Sequence, residues 1–124
     1  MIFAGDQDEP WRTGASNPKD SAVIIGVQDY AFLPKAIAAR ADAALVHDAM
    51  LYGRGLSPDR VTLLDGGSRE QILERVARAA ETGSEGRLWV YFSGHGLPDP
   101  ATGACLLLGD DARPNGSLIA SRAV

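Results

Sequence analysis

The sequence predicts one α/β domain with a mostly parallel sheet and helices on both of its faces. Two observations lead there. Apolar runs at residues 21–27, 61–64 and 88–92 alternate with helical-period segments at 35–52 and from Ser68 to about Glu81, the order of parallel strands joined by right-handed crossovers. The first and third runs also lack polar alternation, which is expected of internal strands covered on both faces.

Each element has its own signal. Residues 21–27 form the first strand, and Gln28, Asp29 and Tyr30 begin a loop at its carboxyl end that closes at Leu33 and Pro34. In the segment 35–52, Ile37, Ala41, Leu45 and Ala49 stand four apart on one stripe, and Gly53 and Gly55 supply the stop. Residues 61–64 make a second strand ending in the turn Asp65-Gly66-Gly67. Ser68 with Gln71 reads as a capping box that opens the second helix, with Ile72, Leu73, Val76, Ala79 and Ala80 inward. Glu74 and Arg78 have ion-pair spacing on its solvated face.

The third strand, Leu88 to Phe92, ends in Ser93-Gly94-His95-Gly96. Glycines there allow a sharp turn and a close approach of substrate to the main chain. A histidine past the carboxyl end of a buried parallel strand lies where open α/β sheets bind ligands. Beyond it, Thr102-Gly103 reads as a turn before a short strand or hairpin arm at 105–108. Residues 110–116 read as a loop, and a last element begins at Ser117.

Composition narrows the function classes. The chain has 124 residues, 45% hydrophobic and 23% charged, an ordinary globular balance for one domain. A formal charge of −4 gives no basic footprint, so neither nucleic acid nor an anionic membrane is an expected partner. Residues 1–19 read as a flexible arm, with Trp11 as a packing anchor rather than a recognition residue, and 20–124 as the domain. That arm contains no apolar run, so neither signal peptide nor membrane span is expected, and a cytoplasmic location follows. The single cysteine cannot form an internal disulfide, and without a CxxC or a histidine cluster it argues against structural zinc.

Spacing excludes several enzyme motifs. Gly94-His95-Gly96 lacks the third glycine of a dinucleotide fingerprint and is followed by Pro98 and Pro100. Ser93 has Tyr91 where a nucleophile elbow needs glycine, and no GxxxxGK occurs. His95 survives as the candidate for chemistry. Imidazole changes charge near neutrality, which suits a group that must take and return a proton. His47 reads as a helix-surface residue.

The segment Ala22-Val23-Ile24-Ile25-Gly26-Val27, the Ala41-Asp42-Ala43 stretch and above all Val90-Tyr91-Phe92-Ser93-Gly94-His95-Gly96 resemble the caspase-like cysteine peptidases, metacaspases and their bacterial relatives included. The resemblance covers residue 22 to about 111. It implies a caspase-like three-layer α-β-α sandwich with the first strand between the second and third. It further implies a hydrolase acting on protein or peptide substrates, a cysteine-type endopeptidase in which His95 is the general acid/base and the Gly96 N–H an oxyanion donor. Among Asp29, Arg40 and Asp42, the resemblance points to Asp42 as the substrate-binding acid, favouring basic residues, with a solvated charge on the helix surface as the alternative. Asp99, Asp110 and Asp111 are similar to calcium-binding acids of metacaspases, but a solvated acidic loop accounts for them equally well, and no cofactor is expected.

The family's nucleophile lies about 50 residues after the histidine, on the next parallel strand. Cys105 is only ten residues downstream of His95 and is expected to be a small buried packing residue. The domain therefore reads as truncated before the nucleophile strand, with the C-terminal half, or another chain, expected to pair with the third strand. The alternative is a noncatalytic caspase-like module that binds a partner protein.

Overall fold

The computed structural model describes residues 12–82 and 85–113. Trp11, the residues from Pro114 on and the element expected at Ser117 lie outside the described residues. The elements run β1 (Ser21–Gly26), α1 (Ala39–Asp48), β2 (Val61–Asp65), α2 (Arg69–Thr82), β3 (Leu88–Ser93), β4 (Gly96–Pro98) and β5 (Cys105–Leu107). β1, β2 and β3 form a parallel sheet in the order β2-β1-β3, and β4 pairs with β5 as an antiparallel hairpin. The chain is thus mixed α/β, with β1 internal as its unbroken apolar run demands.

β1 divides the core in two by the pleat alone. Ala22 and Ile24 face α1 and pack with Ala43, Leu56, Val46, Met50, Trp89 and Tyr91. Val23 and Ile25 face α2 and pack with Ile72, Val76, Ala79, Leu88 and Phe92. One helix therefore covers each face, and each fully buried Ile or Val contributes about 1.5–3 kcal/mol of transfer free energy.

α1 differs from the expected helix in both start and face. It begins at Ala39 because Ala38 takes a left-handed conformation, φ 74°, and the residues before it are not helical. Its buried residues are Ala39 and Ala43, while Ile37 is 88% exposed. The physical reason is close approach. A Cβ on Gly26 would stand 2.7 Å from the Ala43 Cβ and 2.8 Å from the Ala39 carbonyl oxygen, so α1 rests on β1 through its smallest side chains. The helix continues as a wider π-turn over Ala49–Gly53, and Gly55, φ 73°, closes it.

α2 begins as expected. The Ser68 N–H donates to Gln71 Oε1 at 2.9 Å and the Gln71 N–H donates to Ser68 Oγ at 3.3 Å, a reciprocal box. Arg78 and Glu74 form the expected ion pair. Only the Ile72, Val76 and Ala79 stripe reaches the sheet, however, and Leu73 is 39% exposed, because one helix over three strands makes a single seam.

β3 is an edge strand of the described sheet. It was expected to be covered on both faces, yet Val90 is 51% exposed, because α2 lies mainly over β1 and stops short of the centre of β3. The start of β3 is held from below by Asp20, whose carboxylate accepts from the Arg87 N–H at 2.9 Å and the Trp89 indole N–H at 3.2 Å. Those two donors, the backbone N–H foremost, hold the Asp20 carboxyl below its ordinary value. Residues 12–19 run along the end of the first helical segment, where the Asn17 N–H donates to the Gly55 carbonyl oxygen at 3.0 Å and Arg12 stacks on Tyr52. Among the described residues no helix is long and apolar enough to cross a membrane.

Candidate functional site

The carboxyl ends of β1, β2 and β3 share one edge of the sheet, and the chemistry-bearing side chains gather there. β3 delivers His95 two residues past its end, and the loop after β1 wraps beneath it. His95 Nε2 lies 2.7 Å from the Pro34 carbonyl oxygen. The Tyr30 ring packs against the imidazole, with centroids 4.7 Å apart and planes tilted by 44°. The His95 N–H donates to the Tyr30 hydroxyl at 2.8 Å, and that hydroxyl donates to the Leu108 carbonyl oxygen at 3.0 Å. Burial pushes the Tyr30 phenol above its ordinary value, against the opposing effect of the His95 N–H.

The glycines flanking His95 work differently from the turn expected of them. Neither has a left-handed φ. Gly94 is needed because a Cβ there would stand 2.6 Å from the Tyr30 hydroxyl. Gly96 opens β4 opposite Leu107. The Leu108 N–H donates to the His95 carbonyl oxygen at 3.0 Å, which makes Gly96 and Leu107 a non-hydrogen-bonded pair of the ladder. The Gly96 N–H therefore points away from β5.

Cys105 is exposed, not buried. Leu97 and Leu106 turn toward Leu108 and the third core cluster, which leaves Gly96, Pro98, Cys105 and Leu107 on the opposite face of the hairpin. That face is open, so a small thiol there has nothing to pack into. His95 shares the side of Leu97, facing Tyr30 and Pro34, and the pleat therefore directs the Cys105 thiol away from the imidazole.

Asp42 lies exposed in the first turn of α1, and its carboxylate has no ion-pair partner among the described residues. Its neighbour Arg40 bridges two carboxylates, Asp29 Oδ2 at 3.0 Å and Asp65 Oδ1 at 2.9 Å, while Lys35 pairs with Asp29 at 3.5 Å. Asp65 first, then Asp29, raise the Arg40 guanidinium above its ordinary value. These pairs are half exposed and screened by solvent, so their main effect is to occupy Arg40. His47 is remote in the helix, in the last turn of α1, with Nδ1 3.2 Å from Asp48 Oδ1.

The three acids with a calcium-like pattern do not converge. Asp99 Oδ1 accepts from the Ala101 N–H at 2.9 Å, Asp110 Oδ2 from the Gly67 N–H at 3.0 Å and Asp111 Oδ1 from the Arg69 N–H at 3.2 Å. Asp110 and Asp111 thus tie the turn after the hairpin to the N-terminus of α2, where carboxylates complement the unpaired N–H groups and the helix dipole. That donor set does not fit a hard cation, which requires several oxygens around one point.

Tyr30 and Pro34 are the site residues that sequence reasoning missed, whereas Asp110 and Asp111, singled out as calcium-like or solvated acids, instead accept from the Gly67 and Arg69 N–H groups. An aromatic residue in the loop after the most buried strand was the available signal for Tyr30. Pro34 acts through its carbonyl, for which side-chain chemistry offers no signal. Comparisons with protein-family models, with curated proteins and with solved structures find no match to the chain.

Proposed function

We propose that the chain carries the histidine half of a caspase-like Cys–His endopeptidase site, with His95 as general acid/base and the Gly96 N–H as an oxyanion donor. The contact between His95 Nε2 and the Pro34 carbonyl oxygen carries this reading. A carbonyl only accepts, so it selects the tautomer with the proton on Nε2 and leaves Nδ1 as the basic nitrogen. Support also comes from the Gly96 N–H, which the hairpin register leaves out of the ladder one residue from that imidazole.

In this mechanism Nδ1 takes the proton of a thiol, and the thiolate adds to the peptide carbonyl while the Gly96 N–H faces the developing oxyanion. The Nδ1 proton then passes to the leaving amine as the C–N bond breaks. Water attacks the thioester, Nδ1 accepts its proton, and return of that proton to sulfur releases the acid and restores the thiol. The thiol belongs to a strand that pairs with the outer edge of β3, because Cys105 is the chain's single cysteine and faces the other side of the hairpin. Asp42, exposed at the same edge as His95, selects a basic side chain in the substrate.

Cleavage of an unfolded polypeptide by the chain, supplied with the thiol-bearing strand on the same polypeptide or in trans, tests the proposal. Hydrolysis should be abolished by iodoacetamide and should survive Cys105→Ala. Complete loss of activity in a folded Cys105→Ala variant would overturn the assignment of the thiol. Hydrolysis that persists after full alkylation would overturn the cysteine chemistry itself.

A further inference from the structure

We infer that Tyr30 is a positioning residue for His95, its hydroxyl replacing one rung of the β4–β5 ladder and so setting where the imidazole stands. The assignment to the reaction rests on the peptidase reading above; the geometry stands by itself. In an antiparallel ladder, hydrogen-bonded and non-hydrogen-bonded pairs alternate. Gly96 and Leu107 are non-bonded, so His95 and Leu108 come next as a pair that should exchange two bonds. One is present, from the Leu108 N–H to the His95 carbonyl oxygen at 3.0 Å. The other is relayed. The His95 N–H donates to the Tyr30 hydroxyl at 2.8 Å, and the hydroxyl donates to the Leu108 carbonyl oxygen at 3.0 Å.

Two bonds in series where one would close the ladder hold His95 and Leu108 apart on one side only. The hairpin therefore departs from regular pairing at the residue whose side chain matters. Gly94 makes room for the wedge, since any Cβ there would collide with the hydroxyl. The Tyr30 ring, already inserted against Leu108 and Ala112, packs on the imidazole. With the main chain set by the relay and the ring set by Tyr30, Nε2 meets the Pro34 carbonyl oxygen. Tyr30 and Pro34 belong to one loop, so a single segment after β1 aims His95 at both its backbone and its ring.

The test is nitrogen NMR on the full chain, which has two histidines, so His47 serves as an internal reference for folding. In the wild type at slightly alkaline pH, His95 should show a protonated Nε2 and a bare Nδ1, and its amide should exchange slowly. Tyr30→Phe keeps the aromatic ring and removes the relay. His95 should then lose its single-tautomer pattern while His47 is unchanged, and its amide protection should fall about tenfold or more, the scale of one lost hydrogen bond. An unchanged Nε2–H pattern with amide exchange within about twofold of wild type would overturn the inference. Should Tyr30→Phe fail to fold, the wild-type chain still decides: an unprotected His95 amide sinks the relay, and a protected one supports it. None of these readouts requires peptide cleavage, so failure of the peptidase reading leaves them intact.

Discussion

The Pro34 carbonyl oxygen stands 2.7 Å from His95 Nε2, so the orientation of the one imidazole at the sheet's carboxyl edge is set by a main-chain atom sixty-one residues earlier in the chain. Changing the side chain at position 34 leaves that acceptor in place. Pro34→Ala should therefore retain the His95 tautomer, while a freer unfolded chain lowers stability by about 0.4–1 kcal/mol. Urea denaturation of both proteins, read alongside the imidazole spectrum, checks the two halves of this expectation.

Gly26 is where α1 and β1 come closest. Gly26→Val places a branched side chain where even a Cβ would lie 2.7 Å from Ala43 and 2.8 Å from the Ala39 carbonyl oxygen. Overpacking of this kind should cost about 1–3 kcal/mol and shift the urea midpoint down without altering the slope. A midpoint equal to wild type would show that α1 can lift away from β1 freely.

Much of the fold was legible because burial in a thin sheet writes itself as unbroken apolar runs. β1, β2 and β3 fall within a residue of the expected strands, and the Ser68 and Gln71 box marks the start of α2. α1 was harder for a physical reason. Its alanine-rich sequence offers two competing stripes, and the choice between them depends on a glycine in another element, which periodicity within the helix does not register. The position of His95 was legible from its strand and its glycines. Its partners were not, because Tyr30 and Pro34 act through a hydroxyl relay and a carbonyl that only the folded register brings together. Cys105 was misjudged as buried, since a three-residue strand gives too short a pattern to show which face is open.

The Asp20 carboxylate links stability to pH. Its folded value lies below the ordinary one, chiefly through the Arg87 N–H and then the Trp89 indole. A lowered carboxyl contributes stability that is present above the unfolded value, about 3.9, and is lost as pH falls through the folded value. Asp20→Asn should therefore be less stable than wild type at neutral pH, and the gap should close progressively below about pH 4. Thermal unfolding across that range checks it; a gap independent of pH would assign the effect to packing instead.

The most direct measurement is kcat/KM for peptide hydrolysis by the protein with its thiol-bearing strand present, compared among wild type, His95→Ala and His47→Ala at matched folded fraction. His95→Ala should lower the rate by about 10²–10⁴-fold, the range of a lost general acid/base, while His47→Ala leaves it within about twofold. A His95→Ala variant that keeps activity within about tenfold of wild type would remove this imidazole from the mechanism and contradict the account.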